Sequence, residues 1–190
     1  MDRRGSSTDR SAVDRLMAAT LESIHVHGFG RTTVTTVTDI AGLSRGMVRH
    51  EFGSKQQMVV AALSDLCDRW LSETEPDPGL AGGEQVRAIV RAMFAPETFN
   101  PVNVDAWVAL SVEARSDPEL LEVRERTQAR WVDQLTVAFE ASGVDAPAQA
   151  AAATLATADG LWLQRRLEDP STESESATAT VLRVVDALLG

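Results

Sequence analysis

One stretch, TTVTTVTDIAGLSRGMVRHEFGSK from Thr32 to Lys55, leaves the chain few ways to fold. Val34, Val37 and Ala41 recur at helical spacing, and Thr33 just ahead of them carries the hydroxyl that caps a helix start. Gly42 interrupts the pattern, because glycine enters the left-handed backbone region at little cost. Leu43 can then plug the core beneath the turn, and Ser44 is a good cap for a second helix, Arg45 to Phe52. Met47, Val48 and Phe52 fall on its inner side, which leaves Arg45, Arg49 and His50 facing outward. A short basic helix behind so tight a turn has the form of a helix-turn-helix reading head, which lies in the major groove of DNA.

Charge supports that reading once its distribution is followed. The net charge of -10 is wrong for a DNA binder, but it is segregated. Up to Val60 there are eight Lys and Arg against six Asp and Glu; beyond it there are ten against 22. Only the first part is suited to meet phosphates, and an acidic remainder repels DNA and orients the basic face. Cys67 stands alone, so no internal disulfide can form, which suits a reducing cytoplasm. No run reaches the ~18 apolar residues of a membrane span. The N-terminus has charges without an apolar stretch behind them, so residues 1–10 read as a disordered polar arm and not a secretory signal.

The segment Thr32 to Lys55 resembles the DNA-binding domain of TetR-type transcriptional repressors. Thr32, Thr33, Val34, Val37, Ala41, Gly42, Leu43, Ser44, Gly46, Phe52 and Lys55 match that family's pattern in register. Where the family often carries tyrosine beside the histidine, this chain has Arg49 and Glu51 around His50, and it contains no Tyr. The DNA-facing set is then Thr33, Ser44, Arg45, Met47, Arg49, His50 and Lys55. Lys55 is the chain's only lysine and sits in a first helical turn, where a cation opposes the helix dipole. A phosphate contact, which the resemblance implies, and a solvated surface lysine both remain open for it.

The rest of the chain reads as helix throughout, giving an all-α fold with no period-two alternation and no internal repeat. A first helix from about Ser11 to His25 buries Val13, Leu16, Met17, Thr20, Leu21 and Ile24, and Gly28 and Gly30 stop it with Phe29 packed under the turn. His25 and His27, two apart, cannot share a helix face as a metal pair and simply favour the helix end. A helix capped by Ser54 runs to about Ser72 with Leu63, Leu66, Cys67 and Trp70 inside, Cys67 as a small core residue. The proline- and glycine-rich Glu75 to Gly83 is a linker. Helices follow over Glu84 to Phe94, Val102 to Ala114 behind Pro101, and Pro118 to about Ala141 behind Asp117. Asp145 is expected to cap Ala146 to Leu167, Glu168-Asp169-Pro170 to break it, and Thr172 with Glu175 to form a capping box for the last helix. Domain limits of 11–56 for the helix-turn-helix and 57–190 for the remainder follow.

The second half resembles, less specifically, the C-terminal domain of the BetI-like branch of the same family. Trp107, Asp117-Pro118-Glu119-Leu120, Trp131, and Asp159-Gly160-Leu161-Trp162-Leu163 before Leu167 carry that resemblance. It implies a homodimer paired through its last two helices, and a small-molecule effector between the middle ones. Ala177, Val181, Val184, Val185 and Leu188 share a face of the final helix, and Val181, Val184, Val185 and Leu188 are the expected dimer contacts. Phe94, Phe99, Trp107, Trp131 and Trp162 are the candidate effector residues, with plain core packing as the other account of the tryptophans. A mostly apolar aromatic site suits an uncharged or acidic hydrophobic molecule; the BetI resemblance implies a choline-like cation as the other candidate, which ring faces attract.

No cofactor is expected, and no nucleophile with a base, metal-ligand spacing or phosphate-cradling glycine loop suggests an enzyme. The function expected is a ligand-responsive repressor that binds a double-stranded operator. A helical adaptor that keeps the turn but binds only protein is the alternative; Glu51 favours it, and the outward Arg45 and Arg49 oppose it.

Overall fold

A computed structural model describes residues 5–80, 82–167 and 173–190, with side chains from Ala12 onward. Among these residues there are nine α-helices and one 3-10 turn, and no strand: α1 (Gly5–His27), the turn Phe29–Arg31, α2 (Val34–Ala41), α3 (Arg45–Glu51), α4 (Lys55–Glu73), α5 (Gly83–Met93), α6 (Pro101–Glu113), α7 (Pro118–Ala141), α8 (Pro147–Arg166) and α9 (Ser174–Leu189). The all-α expectation therefore holds. None of these helices is long and apolar enough to cross a membrane.

The chain divides into two compact units, each built from two stretches: residues up to 66 with 105–123, and residues 67–104 with 124–190. This differs from the contiguous split at 56/57, because Met58 of α4 lies in the core of the helix-turn-helix. There Leu16, Ala19, Val37, Ala41, Val48 and Met58 close on one another, with Val34, Leu43, Met47 and Phe52 packed against them. Leu16, Val37 and Met58 are fully buried, and each such side chain stabilises by roughly 1.5–3 kcal/mol. The α6 segment adds a polar tie that the sequence did not suggest: His25 Nδ1 lies 2.7 Å from Asp105 Oδ2.

Several expected boundaries move. Residues 5–10 continue α1 as helix where a disordered arm was expected, and residues 1–4 lie outside the described residues. Extending a formed helix costs far less than nucleating one, so a polar stretch without Pro can follow the buried stripe. The cap of α8 is Ala146, not Asp145, with Pro147 in the first turn. For α9 the N-cap position is Glu173, which makes no side-chain bond to the helix; Thr172, the expected cap, and residues 168–170 lie outside the described residues. The other boundaries stand close to expectation. Asp117 caps α7, its carboxylate accepting from the Glu119 and Leu120 amides at 3.0 and 3.2 Å.

In the second unit α9 packs against α5 and α8, and this takes part of the expected dimer set off the surface. Val181 and Val185, with Ala177, are fully covered within their own subunit, so they are not available to a partner. Only Val184 and Leu188 of the expected set keep part of their surface. On α8 and its C-cap an exposed apolar stripe runs through Ala153, Ala156, Gly160, Leu163 and Leu167, spaced alternately three and four residues apart. Leu163 and Leu167 are 50% and 73% exposed. A charge at Val185 is thus a core lesion. Val185→Arg is expected to cost on the order of 4 kcal/mol or more, as for an unpaired charge in a packed site. A large drop in the thermal midpoint would show this; a folded monomer of normal stability would contradict it.

Cys67 is buried as expected, and burial pushes its thiol up to about 11, against the opposing pull of a hydrogen bond with Thr127.

Candidate nucleic-acid interface

Local chemistry sets the geometry of α2 and α3. The Thr33 hydroxyl accepts from the Thr36 amide at 3.1 Å, and the Thr36 hydroxyl accepts from the Thr33 amide at 2.8 Å, a reciprocal capping box. Such a cap stabilises a helix by about 1 kcal/mol. Gly42 ends α2 in the left-handed region, φ 62°, and Leu43 packs against the core from the turn. Val48 is the buried anchor of α3, while Met47 and Phe52 pack beside it. That arrangement leaves Arg45, Arg49 and His50 exposed.

Arg45, Arg49 and Lys55 line one recess of about 310 Å3, together with Val34, Val48, Gly53 and Ser54. Three cations on one open surface can meet a polyanion, and two arginines in a short helix have the reach and planarity to read base edges. Lys55 opens α4, and Ser54 caps that helix by accepting from the Gln57 amide at 3.1 Å. Lys55 Nζ stands 5.9 Å from the centre of the Phe29 ring. Phe29 is therefore a half-buried platform for the lysine as well as a filler of the turn, a role that spacing could not suggest across 26 residues.

The remaining sites are placed differently. Thr33 is exposed at the start of α2, its hydroxyl engaged in the cap. Ser44 occupies the N-cap of α3 but makes no side-chain bond to the helix. Met47 is half-buried, so only an edge of it can face outward. Glu51, where the family often has tyrosine, turns its carboxylate onto His50: Oε1 lies 2.7 Å from Nδ1, with the two side chains 15% and 76% exposed. The carboxylate is thus held against His50 and does not extend into the recess of Arg45, Arg49 and Lys55, whose lining does not include Glu51.

The effector candidates fall into two groups. Phe94, Phe99, Trp162, Trp70 and Trp131 form a continuous chain of rings in the second unit. Phe94 meets Phe99 edge-on at 5.1 Å, and Phe99 meets Trp162 edge-on at 5.5 Å. Trp162 meets Trp70 edge-on at 5.1 Å, and Trp70 stacks on Trp131 at 6.2 Å with 18° between planes. Trp107 is buried on α6 and belongs to the first unit. Trp70, read from spacing only as an inner residue of α4, is the central ring. Helical periodicity says that a ring is inside but not which rings it meets.

Two polar groups beside the rings have partners within the unit. Trp131 Nε1 donates to Thr74 Oγ1 at 3.2 Å, and Gln134 Nε2 donates to the Leu71 carbonyl at 3.1 Å. Next to Phe99 in the chain, Thr98 Oγ1 donates to the exposed Glu73 carboxylate at 2.9 Å. Ser174, at the start of α9, donates to the Phe94 carbonyl and so closes the end of α5.

Known proteins share both the sequence pattern and the fold. Residues 16–62 match the family model of bacterial regulatory proteins of the tetR family, and residues 82–190 match the C-terminal model of BetI-type transcriptional repressors. An HTH-type transcriptional regulator BetI from Paraburkholderia xenovorans is 30% identical over 184 residues, 92% of each chain. A transcriptional regulator from Rhodococcus sp. Rha1 superposes with a TM-score of 0.82 at 25% identity, covering 93% of this chain and 95% of the other. A regulator from Saccharomonospora viridis, solved in complex with choline, shares the fold with a TM-score of 0.78 at 18% identity over 93% of this chain and 96% of the other. With both domain models matched in order along the chain, it belongs to the TetR family of transcriptional regulators and carries a C-terminal domain of the BetI repressor type.

Proposed function

We propose that this regulator binds a palindromic operator as a homodimer and is released from it by a small molecule. The observation that carries the DNA half of this reading is the shared recess of Arg45, Arg49 and Lys55. Arg45 and Arg49 reach base edges, guanine above all, while Lys55 holds a phosphate. Two-fold symmetry follows from α8. Its exposed stripe at alternating three- and four-residue spacing has the pattern of a helix-pairing seam, and Val184 and Leu188 of α9 add partly exposed apolar surface. Half-sites would then lie about one helical turn apart or somewhat more, on the same side of the duplex.

Release follows from linkage. A molecule that binds better to the conformation unable to hold both half-sites must weaken DNA binding by the same coupling factor. The aromatic chain from Phe94 to Trp131 is the candidate effector site. Its rings are at most 5% exposed and already touch one another, so an effector has to part them. A hydrophobic molecule can do so through apolar contact alone. A compact organic cation is the second reading, because ring faces attract positive charge and the exposed Glu73 carboxylate is held by Thr98, the chain neighbour of Phe99.

Tryptophan emission tests this site in the intact protein. An effector seated among Trp70, Trp131 and Trp162 is expected to change emission saturably, at the same concentrations that release a fluorescent operator duplex. Trp162→Phe, which keeps a ring in place, should shift both titrations together to weaker binding. DNA release at unchanged concentrations in that variant would place the effector elsewhere, and choline against an uncharged isostere separates the two ligand classes.

A further inference from the structure

Both ends of α2 are held by side chains of α1. At its start, the buried Ser23 hydroxyl lies 3.2 Å from Thr32 Oγ1 and 3.0 Å from Thr36 Oγ1, and Thr32 Oγ1 donates to the Gly28 carbonyl at 3.1 Å. At its end, the Arg15 guanidinium donates to the carbonyl of Ala41, the last residue of α2. That carbonyl belongs to the final turn of a helix, where no backbone amide is in place to accept from and where the dipole favours a cation. It stands immediately before Gly42, whose left-handed backbone sets the angle at which the chain enters α3. The guanidinium also lies against the turn itself, 3.4 Å from the point a Cβ on Gly42 would occupy.

Arg15 is exposed, yet it is not on the surface of the reading head. It lines a separate recess with Ala18, Ala19, Glu22, Ile40 and Ala41, which shares no residue with the recess of Arg45, Arg49 and Lys55. We propose that Arg15 is a positioning residue for sequence-specific DNA reading: it clamps the end of α2, and through Gly42 the angle of α3, without touching DNA. This rests on the assignment of α3 as the base-reading helix. Base contacts demand that angle, whereas phosphate contacts made without regard to sequence tolerate its variation. Loss of the clamp therefore lowers specific binding and spares non-specific binding.

The test uses the full-length protein and a duplex selected by it from a random pool, with an unselected random-sequence duplex of equal length as reference. Wild-type preference for the selected duplex is measured first; its absence would overturn the DNA-reading assignment and not the clamp. Arg15→Met keeps the apolar stem and removes the donors, and Arg15→Lys restores a charged donor. Arg15→Met is expected to weaken binding to the selected duplex about tenfold, the size of one ordinary hydrogen bond. Binding to the random duplex and the salt dependence on both should stay at wild-type values, and Arg15→Lys should recover most of the loss. Two outcomes overturn the proposal. One is unchanged affinity of Arg15→Met for the selected duplex. The other is weaker binding to both duplexes with a salt slope reduced by about one, which would make Arg15 a phosphate ligand.

Discussion

Leu163→Arg is expected to convert the regulator into a folded monomer and to weaken operator binding by about 10²- to 10⁴-fold, the usual gain from joining two binding modules. Leu163 is 50% exposed in the single subunit, so the arginine enters no core and the subunit keeps its stability. In the dimer the same position would be central to the α8 seam, where a pair of facing arginines meets both desolvation and mutual repulsion. Light scattering reads the mass and fluorescence anisotropy reads DNA binding. The contrast with Val185→Arg is diagnostic, because that substitution falls in the core of one subunit and should unfold it. Unchanged mass for Leu163→Arg would mean that the seam is free surface and that the subunits, if they pair, do so elsewhere.

Removing the reading arginines is expected to have the next largest effect. Arg45→Ala and Arg49→Ala should each cost about 1–3 kcal/mol on a duplex selected by the wild type, and each should relax specificity at a base position. Neither side chain contributes to the core cluster, so stability should be unchanged. Lys55→Ala provides the control from the same recess. It should weaken all sequences alike and flatten the salt slope by about one, because a phosphate contact carries no sequence information. Anisotropy titrations across salt concentrations separate the two signatures. Wild-type binding in all three variants would remove the reading head from α3 and revive a protein-only role. Equal loss by Arg45→Ala on every sequence would move it from base edge to backbone.

Much of the reading head is legible in the sequence because local interactions decide it. The Thr33 cap, the left-handed Gly42, the buried Val48 and the outward Arg45 and Arg49 each depend on neighbours within about four residues, the reach of one helical turn. Spacing also shows that α9 has an apolar face and that Trp70, Trp131 and Trp162 lie inside. It says nothing of what meets those faces. Only the tertiary structure covers Val181 and Val185 within the subunit and leaves Leu163 and Leu167 bare, so two of the four expected dimer contacts are not surface. Only packing sets Trp70 between Trp131 and Trp162, Asp105 on His25, Phe29 under Lys55 and Arg15 over the end of α2. These partners are tens of residues apart, and a helical period records that a side chain is buried without recording which surface buries it.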